Sequence, residues 1–226
     1  MGKINSSGED WKRFLKFASN HFNLNASEKL QVYQRNPNAT CLATYEQWKQ
    51  IGKFVTRGQH GIRVNTSPDR KTTYFDITQT DEAPLTLWKY NEAFNELLFD
   101  ELDNIDGIPT IKDRGKNLNE VLFELTHDCI NSRYSETGLI TPEFCDFVAQ
   151  SICYSTMSRL SVEPDTSFDF EQVKSFNNEE LSFLIGALSA YTNLYLKCAK
   201  QVVKTHSLEE VNAMVRTQQE QNENEA

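Results

Sequence analysis

No apolar run in the chain approaches the roughly 20 residues that a membrane-spanning helix needs. The opening MGKINSSGEDWKRFLKF has no apolar stretch of the kind a secretory signal requires. Met1-Gly2 with Ser6 matches the myristoylation pattern only loosely, and chance explains it best, since nothing else points to a membrane. The expected setting is cytoplasmic. Cysteines are few: Cys41, Cys129, Cys145, Cys153 and Cys198 are odd in number, widely spaced and without a C-x-x-C pair, so neither a disulfide framework nor a zinc site is suggested. Cys145 and Cys153, eight apart in a helical pattern, read as buried structural thiols. Histidines are also few and scattered, at positions 21, 60, 127 and 206. There is no P-loop, no Rossmann fingerprint and no G-x-S-x-G. His127-Asp128 could form part of a catalytic site, but a core or surface histidine is the better reading. The pairs Asp100-Glu101 and Glu179-Glu180 would diverge on a helix and read as solvated faces. The expectation is a non-enzyme with no metal and no cofactor.

What is present is the composition of a soluble globular chain, 38% hydrophobic and 24% charged over 226 residues. The formal charge of −9 is unevenly spread. Residues 1–80 hold 12 Lys and Arg against 6 Asp and Glu, a net of +6; residues 81–226 hold 11 against 26, a net of −15. Such asymmetry fits a nucleic-acid-binding part beside a solubilising or interacting one.

Trp11, Phe14, Leu15, Ala18 and Phe22 recur at helical spacing. Asn25-Ala-Ser27-Glu28 supplies cap chemistry for a second helix, which should stop before Asn36-Pro37. Thr44-Tyr-Glu-Gln47 is a capping box opening a short helix that Gly52 ends. Lys53–Arg57 and Ile62–Val64, joined through Gly58 and Gly61, predict a hairpin or tight connection. Thr72–Ile77 predicts a further strand after the turn Ser67-Pro-Asp-Arg70. From about residue 86 the pattern is helical: Trp88–Leu98, a loop over Asp103–Gly115, then helices marked by Leu118 to Leu125, by Thr141-Pro142 through Ile152, by Leu181 to Val202, and by Ser207 to Met214. The fold class expected is α+β: N-terminal helices with a small antiparallel β-sheet, followed by a mostly α-helical domain. The expected divisions are 8–86, an acidic helical part 87–215, and a disordered tail 216–226.

The densest stretch runs Asn36-Pro-Asn-Ala-Thr40, Thr44-x-x-x-Trp48, Gly52-Lys-Phe-Val-Thr-Arg-Gly58 and Gly61-Ile62-Arg-Val64. Within it Tyr45, Trp48 and Phe54 interleave with Lys49, Lys53, Arg57 and Arg63. Aromatic faces stack on unpaired bases for about 1–3 kcal/mol each. Cations neutralise phosphates and release counterions. Gly58 and Gly61 would let a backbone approach closely. The competing reading makes Trp48 core, buries one of Phe54 and Val55, and gives the glycines to a turn.

The string NPNATCLATYEQWKQIGKFVTRGQHGIRV resembles the N-terminal domain of ArdC-type antirestriction proteins, over roughly residues 8–80. The resemblance implies single-stranded DNA binding. The segment Phe75–Thr80, with Gln150–Arg159 and Phe176–Gly186, is also similar to the region that follows this motif in large proteins of Gram-positive conjugative elements. Full ArdC-type proteins carry a metallopeptidase-like domain with His-Glu-x-x-His, a string this sequence lacks; Glu124-Leu-Thr-His127 has the wrong spacing. The resemblance therefore carries DNA binding and no protease activity. The expected function is sequence-tolerant single-stranded DNA binding in a plasmid, phage or conjugative element. Antirestriction is a weaker implication, and a DNA-processing or restriction protein is a further expected partner. One alternative is protein docking or DNA mimicry by the acidic part. Another is a hydrolase whose pocket gathers carboxylates with His127 or His60 only in three dimensions.

Overall fold

The computed structural model describes residues 4–81, 88–134, 140–165, 167–211 and 213. The tail 216–226, the domain boundary at 86/87 and the end of the helix expected over Ser207–Met214 lie outside the described residues. The protein is α+β, with N-terminal helices, one small antiparallel sheet and a mostly helical remainder. It divides into two compact units: Met1–Leu87 with Asp169–Asn193, and Trp88–Phe168 with Leu194–Ala226. Residues Asp169–Asn193, which the sequence pattern grouped with the acidic helices, belong to the first unit.

In the first unit, helix α1 (Gly8–Asn20) starts at Ser7, whose hydroxyl accepts from the Asp10 amide. Its buried face carries Trp11, Phe14, Leu15 and Ala18, as the spacing predicts. Helix α2 (Ala26–Arg35) opens with a reciprocal capping box between Asn25 and Glu28. It ends at Asn36, before the proline. Strand β1 (Leu42–Thr44) runs into helix α3 (Tyr45–Gln50) through the Thr44–Gln47 capping box. Strands β2 (Ile62–Ser67) and β3 (Arg70–Asp76) form the hairpin, and β3 lies between the other two in the order β1-β3-β2.

Lys53–Arg57 is not a strand of this sheet; its strand-type pairing is an isolated bridge, Val55 to Thr80. The hairpin turn sits at residues 67–70 rather than at Gly58–Gly61, and β1 is a strand the alternation did not reveal. At three residues, β1 is too short to display a period.

Edge strand β2 is covered along its outer backbone by α2. The Asn65 amide donates to Gln31 Oε1 at 2.8 Å, Gln31 Nε2 donates to the Asn65 carbonyl at 3.1 Å, and the Arg35 guanidinium donates to the Arg63 carbonyl. Side chains thus stand in for the missing strand neighbour. The first part of helix α7 (Asn178–Thr205) belongs to this unit. Lys29, fully buried, donates to Ser189 Oγ at 3.2 Å and Asn193 Oδ1 at 2.6 Å, and Asn193 Nδ2 donates to the Leu24 carbonyl. The 3-10 segment Phe170–Ser175 closes on α1, where Glu171 Oε1 accepts from the Gly8 amide at 2.9 Å.

One carboxylate organises the loop side of the sheet. Asp76, 2% exposed at the end of β3, accepts from the Thr40 amide at 2.6 Å, the Cys41 amide at 3.2 Å, the Thr78 amide at 3.0 Å and the Thr78 hydroxyl at 2.8 Å. Burial by itself would raise its pKa; these donors outweigh burial and hold the carboxyl below its ordinary 3.8.

The second unit holds helices α4 (Asn95–Asp103), α5 (Leu118–Tyr134), α6 (Pro142–Leu160) and the last part of α7. Helix α4 starts later than its pattern predicts, after a 3-10 turn over Glu92–Phe94. Helix α6 begins on the Thr141 cap with Pro142 at its first turn, and it is buried nearly all round. Cys145 and Cys153 lie on it, both buried, and burial raises both thiol pKa values, Cys145 to about 11. Arg114 ties the loop after α4 back to that helix, donating to Asp100 at 2.7 Å and Asp103 at 2.6 Å. Inside, Tyr195 and Thr126 hydroxyls bond at 2.9 Å.

Asp76→Asn replaces an acceptor for several N–H and O–H donors with a half-donor amide. It should cost about 2 kcal/mol at pH 7. Because the folded carboxyl titrates below 3.8, its stabilisation is fully present above that pH and is lost as pH falls below it. Urea unfolding should therefore show a wild-type advantage at pH 7 that shrinks towards pH 3, and a gap independent of pH would contradict this.

Candidate nucleic-acid interface

The residues singled out by the motif divide into two sets. Tyr45 and Phe54 are 47% and 53% exposed, unusual for rings of that size. Tyr45 and Lys49 lie one turn apart on the outer face of α3, and both are exposed. The backbone that presents Phe54 is pinned, its amide donating to Asp81 Oδ1 at 3.3 Å and its carbonyl accepting from the Asp81 amide at 2.9 Å. Arg57 and Gly58 lie in the exposed loop that follows. Gly58 has φ +89°, a left-handed turn conformation that disfavours side chains, with open space where a Cβ would sit. Arg63 is exposed on β2.

Trp48, Lys53 and Gly61 are corrections. Trp48 is 1% exposed and its indole N–H donates to the Phe75 carbonyl at 2.9 Å, so its ring locks α3 to β3 and offers no face to a base. Lys53 is 3% exposed, which removes it from the charged surface expected to meet phosphates. At Gly61 a Cβ would fall 2.5 Å from Thr73 Cγ2 and 2.8 Å from the Tyr74 carbonyl oxygen. The close approach it permits is that of β3 itself, with no room implied for a ligand.

Strand pairing adds residues that the motif did not single out. Arg63 is opposite Thr73, and Asn65 is opposite Lys71. Side chains two apart share a face, so Arg63, Asn65, Lys71 and Thr73 all lie on the solvent side, while Val64 is buried on the other. Lys71 therefore joins Arg63 as a diagonal cation. Its position follows from the strand register, which is set by the turn at 67–70.

Ion pairing distinguishes these cations from Lys112, Arg114 and Lys116 of the second unit. Lys49, Arg57, Arg63 and Lys71 make no salt bridge among the described residues. In the second unit Lys112 pairs with Asp128, Lys116 with Glu124, and Arg114 with Glu96, Asp100 and Asp103.

Two hollows gather ionisable side chains, one in each unit. The larger, about 1140 Å³, is a trough of the first unit between α1, α2 and the loop Asn36–Thr40. Arg13, Lys16 and Tyr33 line it, and none of them was singled out from the sequence. The signal available was their placement on the polar side of α1 and α2. The smaller, about 400 Å³, lies in the second unit and gathers His127 with Glu124 and Asp128. Such a pocket is what the hydrolase alternative required. Of its three carboxylates, Glu124 and Asp128 are engaged by Lys116 and Lys112 and Asp113 accepts from the Gly115 amide, leaving His127 between Asp146 Oδ1 at 3.4 Å and the Asn131 amide, 3.1 Å from Nδ1. His60 is exposed in the loop of the first unit. Among the described residues no cluster of His, Cys, Asp and Glu is suited to a metal ion, and no helix is long and apolar enough to cross a membrane.

The two roles separate experimentally. Trp48→Ala should cost about 3–5 kcal/mol in unfolding free energy. Tyr45→Ala, at an exposed site, should stay within about 0.5 kcal/mol of wild type. Gly61→Ala should cost about 1–3 kcal/mol by overpacking against β3. A neutral Gly61→Ala in thermal unfolding would remove the steric account of that glycine.

No protein-family model matches the chain, and no curated protein matches it in sequence. Among solved structures, the metal-free crystal structure of the antirestriction ArdC protein from the R388 plasmid is similar, with a TM-score of 0.42 and 13% identity over 80% of this chain and 84% of that one. A likeness at that score carries no argument for this chain.

Proposed function

We propose that the first unit binds single-stranded DNA with little sequence preference, through the outer face of α3, the loop that follows it and the solvent face of β2 and β3. The observation that carries the reading is a set of cations with no salt bridge among the described residues, Lys49, Arg57, Arg63 and Lys71, lying in the same sequence-continuous region as the exposed rings of Tyr45 and Phe54. In a chain of net charge −9, cations left unpaired hold counterions from solution, and a phosphate backbone would release them with a gain in entropy. Exposed rings on pinned backbone lose little freedom on stacking with bases. Duplex DNA hides its base faces, so rings of this kind favour a single strand. DNA rather than RNA, and a setting in a plasmid, phage or conjugative element, rest on the resemblance of the Asn36–Val64 motif to ArdC-type proteins. An antirestriction role rests on that resemblance alone.

The test is fluorescence anisotropy of the full chain with a labelled strand of about 20 nucleotides, and with its duplex, over a salt series. The strand should bind better than the duplex and weaken with salt. Arg57→Ala/Arg63→Ala should reduce the slope of log affinity against log salt by about 1.4, at about 0.7 per lost phosphate contact. Equal slopes for variant and wild type would remove these two residues from the interface.

A further inference from the structure

The trough between α1 and α2 has the parts of a nucleotide subsite, apart from the surface described above. Tyr33 forms part of its wall, half-buried, with its ring held edge-on by Phe14 at 5.2 Å between centroids and by Phe17 at 5.0 Å. A ring fixed in this way is a stacking surface whose ordering cost was met on folding. Arg13 and Lys16, one turn apart and exposed, stand on the α1 side. Lys16 has no carboxylate partner among the described residues, while Arg13 pairs with Asp10 at 3.1 Å. On the α2 and loop side, Gln34 and Asn38 present exposed side-chain amides that no protein group engages among the described residues. At about 1140 Å³ the trough exceeds the roughly 300–1,000 Å³ usual for small-molecule sites, so a base, its sugar and its phosphate fit without displacing protein.

Charge decides which nucleotide. Asp10 also lines the trough, so Arg13, Lys16 and Asp10 together carry a net of +1. A phosphodiester carries a single negative charge, whereas a terminal phosphomonoester carries about −1.5 to −2 at pH 7. The carboxylate would repel the second charge. Burial first, and the Asp10 charge second, raise the Tyr33 phenol above its ordinary pKa, which keeps it a neutral hydroxyl beside the phosphate.

We propose that this trough seats one unstacked base of a single strand on Tyr33, with its phosphodiester between Arg13 and Lys16 and its edge towards Gln34 and Asn38. The inference rests on the strand-binding reading and extends it to a second contact point. Helix α2 separates the two: Gln31 and Arg35 face the edge of β2, and Tyr33 and Gln34 face the trough.

The experiment is photocrosslinking of the full chain to a thymidine strand carrying 5-iododeoxyuridine, with peptide mapping, beside anisotropy on Lys16→Gln. Lys16 is exposed, so its variant should keep the fold, which circular dichroism would verify. An adduct on Tyr33 that survives excess thymidine 5′-monophosphate, with an affinity loss of about threefold in Lys16→Gln, would support the subsite. Adducts confined to Tyr45 or Phe54, with Lys16→Gln unchanged, would overturn the subsite and leave the strand-binding face standing. Loss of the Tyr33 adduct to the free monophosphate would overturn the assignment to a strand and give the trough to free nucleotides. Absence of any strand binding would remove both proposals.

Discussion

The Asp76 carboxylate is the constraint on which the first unit turns. It sits where β3 ends, and it takes the amides of Thr40 and Cys41 from one side and the amide and hydroxyl of Thr78 from the other. A charged acceptor in a buried position is costly unless its lone pairs are filled, and here they are. The loop Asn36–Thr40 is thereby fastened to the centre strand of the sheet, and that loop forms one side of the trough. The same fastening sets the start of β1, hence of α3, whose outer face carries Tyr45 and Lys49. Both candidate surfaces thus inherit their position from one buried charge.

Secondary anchors work on the same principle of satisfying polar groups by side chains. Gln31 and Arg35 complete the bare edge of β2, and Trp48 spends its N–H on the Phe75 carbonyl. These are interactions between elements far apart in sequence, and each one commits a polar or aromatic residue to structure. What is left over is informative. The rings of Tyr45 and Phe54 and the cations Lys49, Arg57, Arg63 and Lys71 are not consumed by the fold. Among the described residues folding neither buries these side chains nor pairs the cations in salt bridges, and the proposed ligand, a polyanion with exposed bases, would engage both types.

The second unit follows a different logic. Three of its basic side chains, Lys112, Arg114 and Lys116, are matched to carboxylates close by, and α6 is buried nearly all round. At the surface such pairs contribute little stability each, so the fan of acids on Arg114 serves chiefly to position the loop after α4. Local neutralisation leaves the excess of acidic charge spread over the rest of the unit, which disfavours close approach of a nucleic acid there.

Much of this was legible from the chain alone. The caps of α2, α3 and α6 were visible because cap chemistry is local: an Asn or Thr reaches an amide two or three residues on. The helical faces of α1 and of α7 were visible because burial repeats with the helical period. The charge split and the exposed members of the motif, Tyr45, Lys49, Phe54, Arg57 and Arg63, needed only composition and order. Tertiary structure decided what depends on partners distant in sequence. Trp48 and Lys53 share the composition of the motif's aromatic and basic residues, yet packing buries both, because a side chain's exposure is set by what lies opposite it. Strand pairing placed Lys71 beside Arg63 and left Lys53–Arg57 outside the sheet. The allegiance of Asp169–Asn193 to the first unit depends on hydrogen bonds across about 160 residues, from Lys29 to Ser189 and Asn193, that no local pattern encodes. The trough is of the same kind: its residues come from two helices and a loop, and only folding brings Arg13, Lys16 and Tyr33 to one hollow.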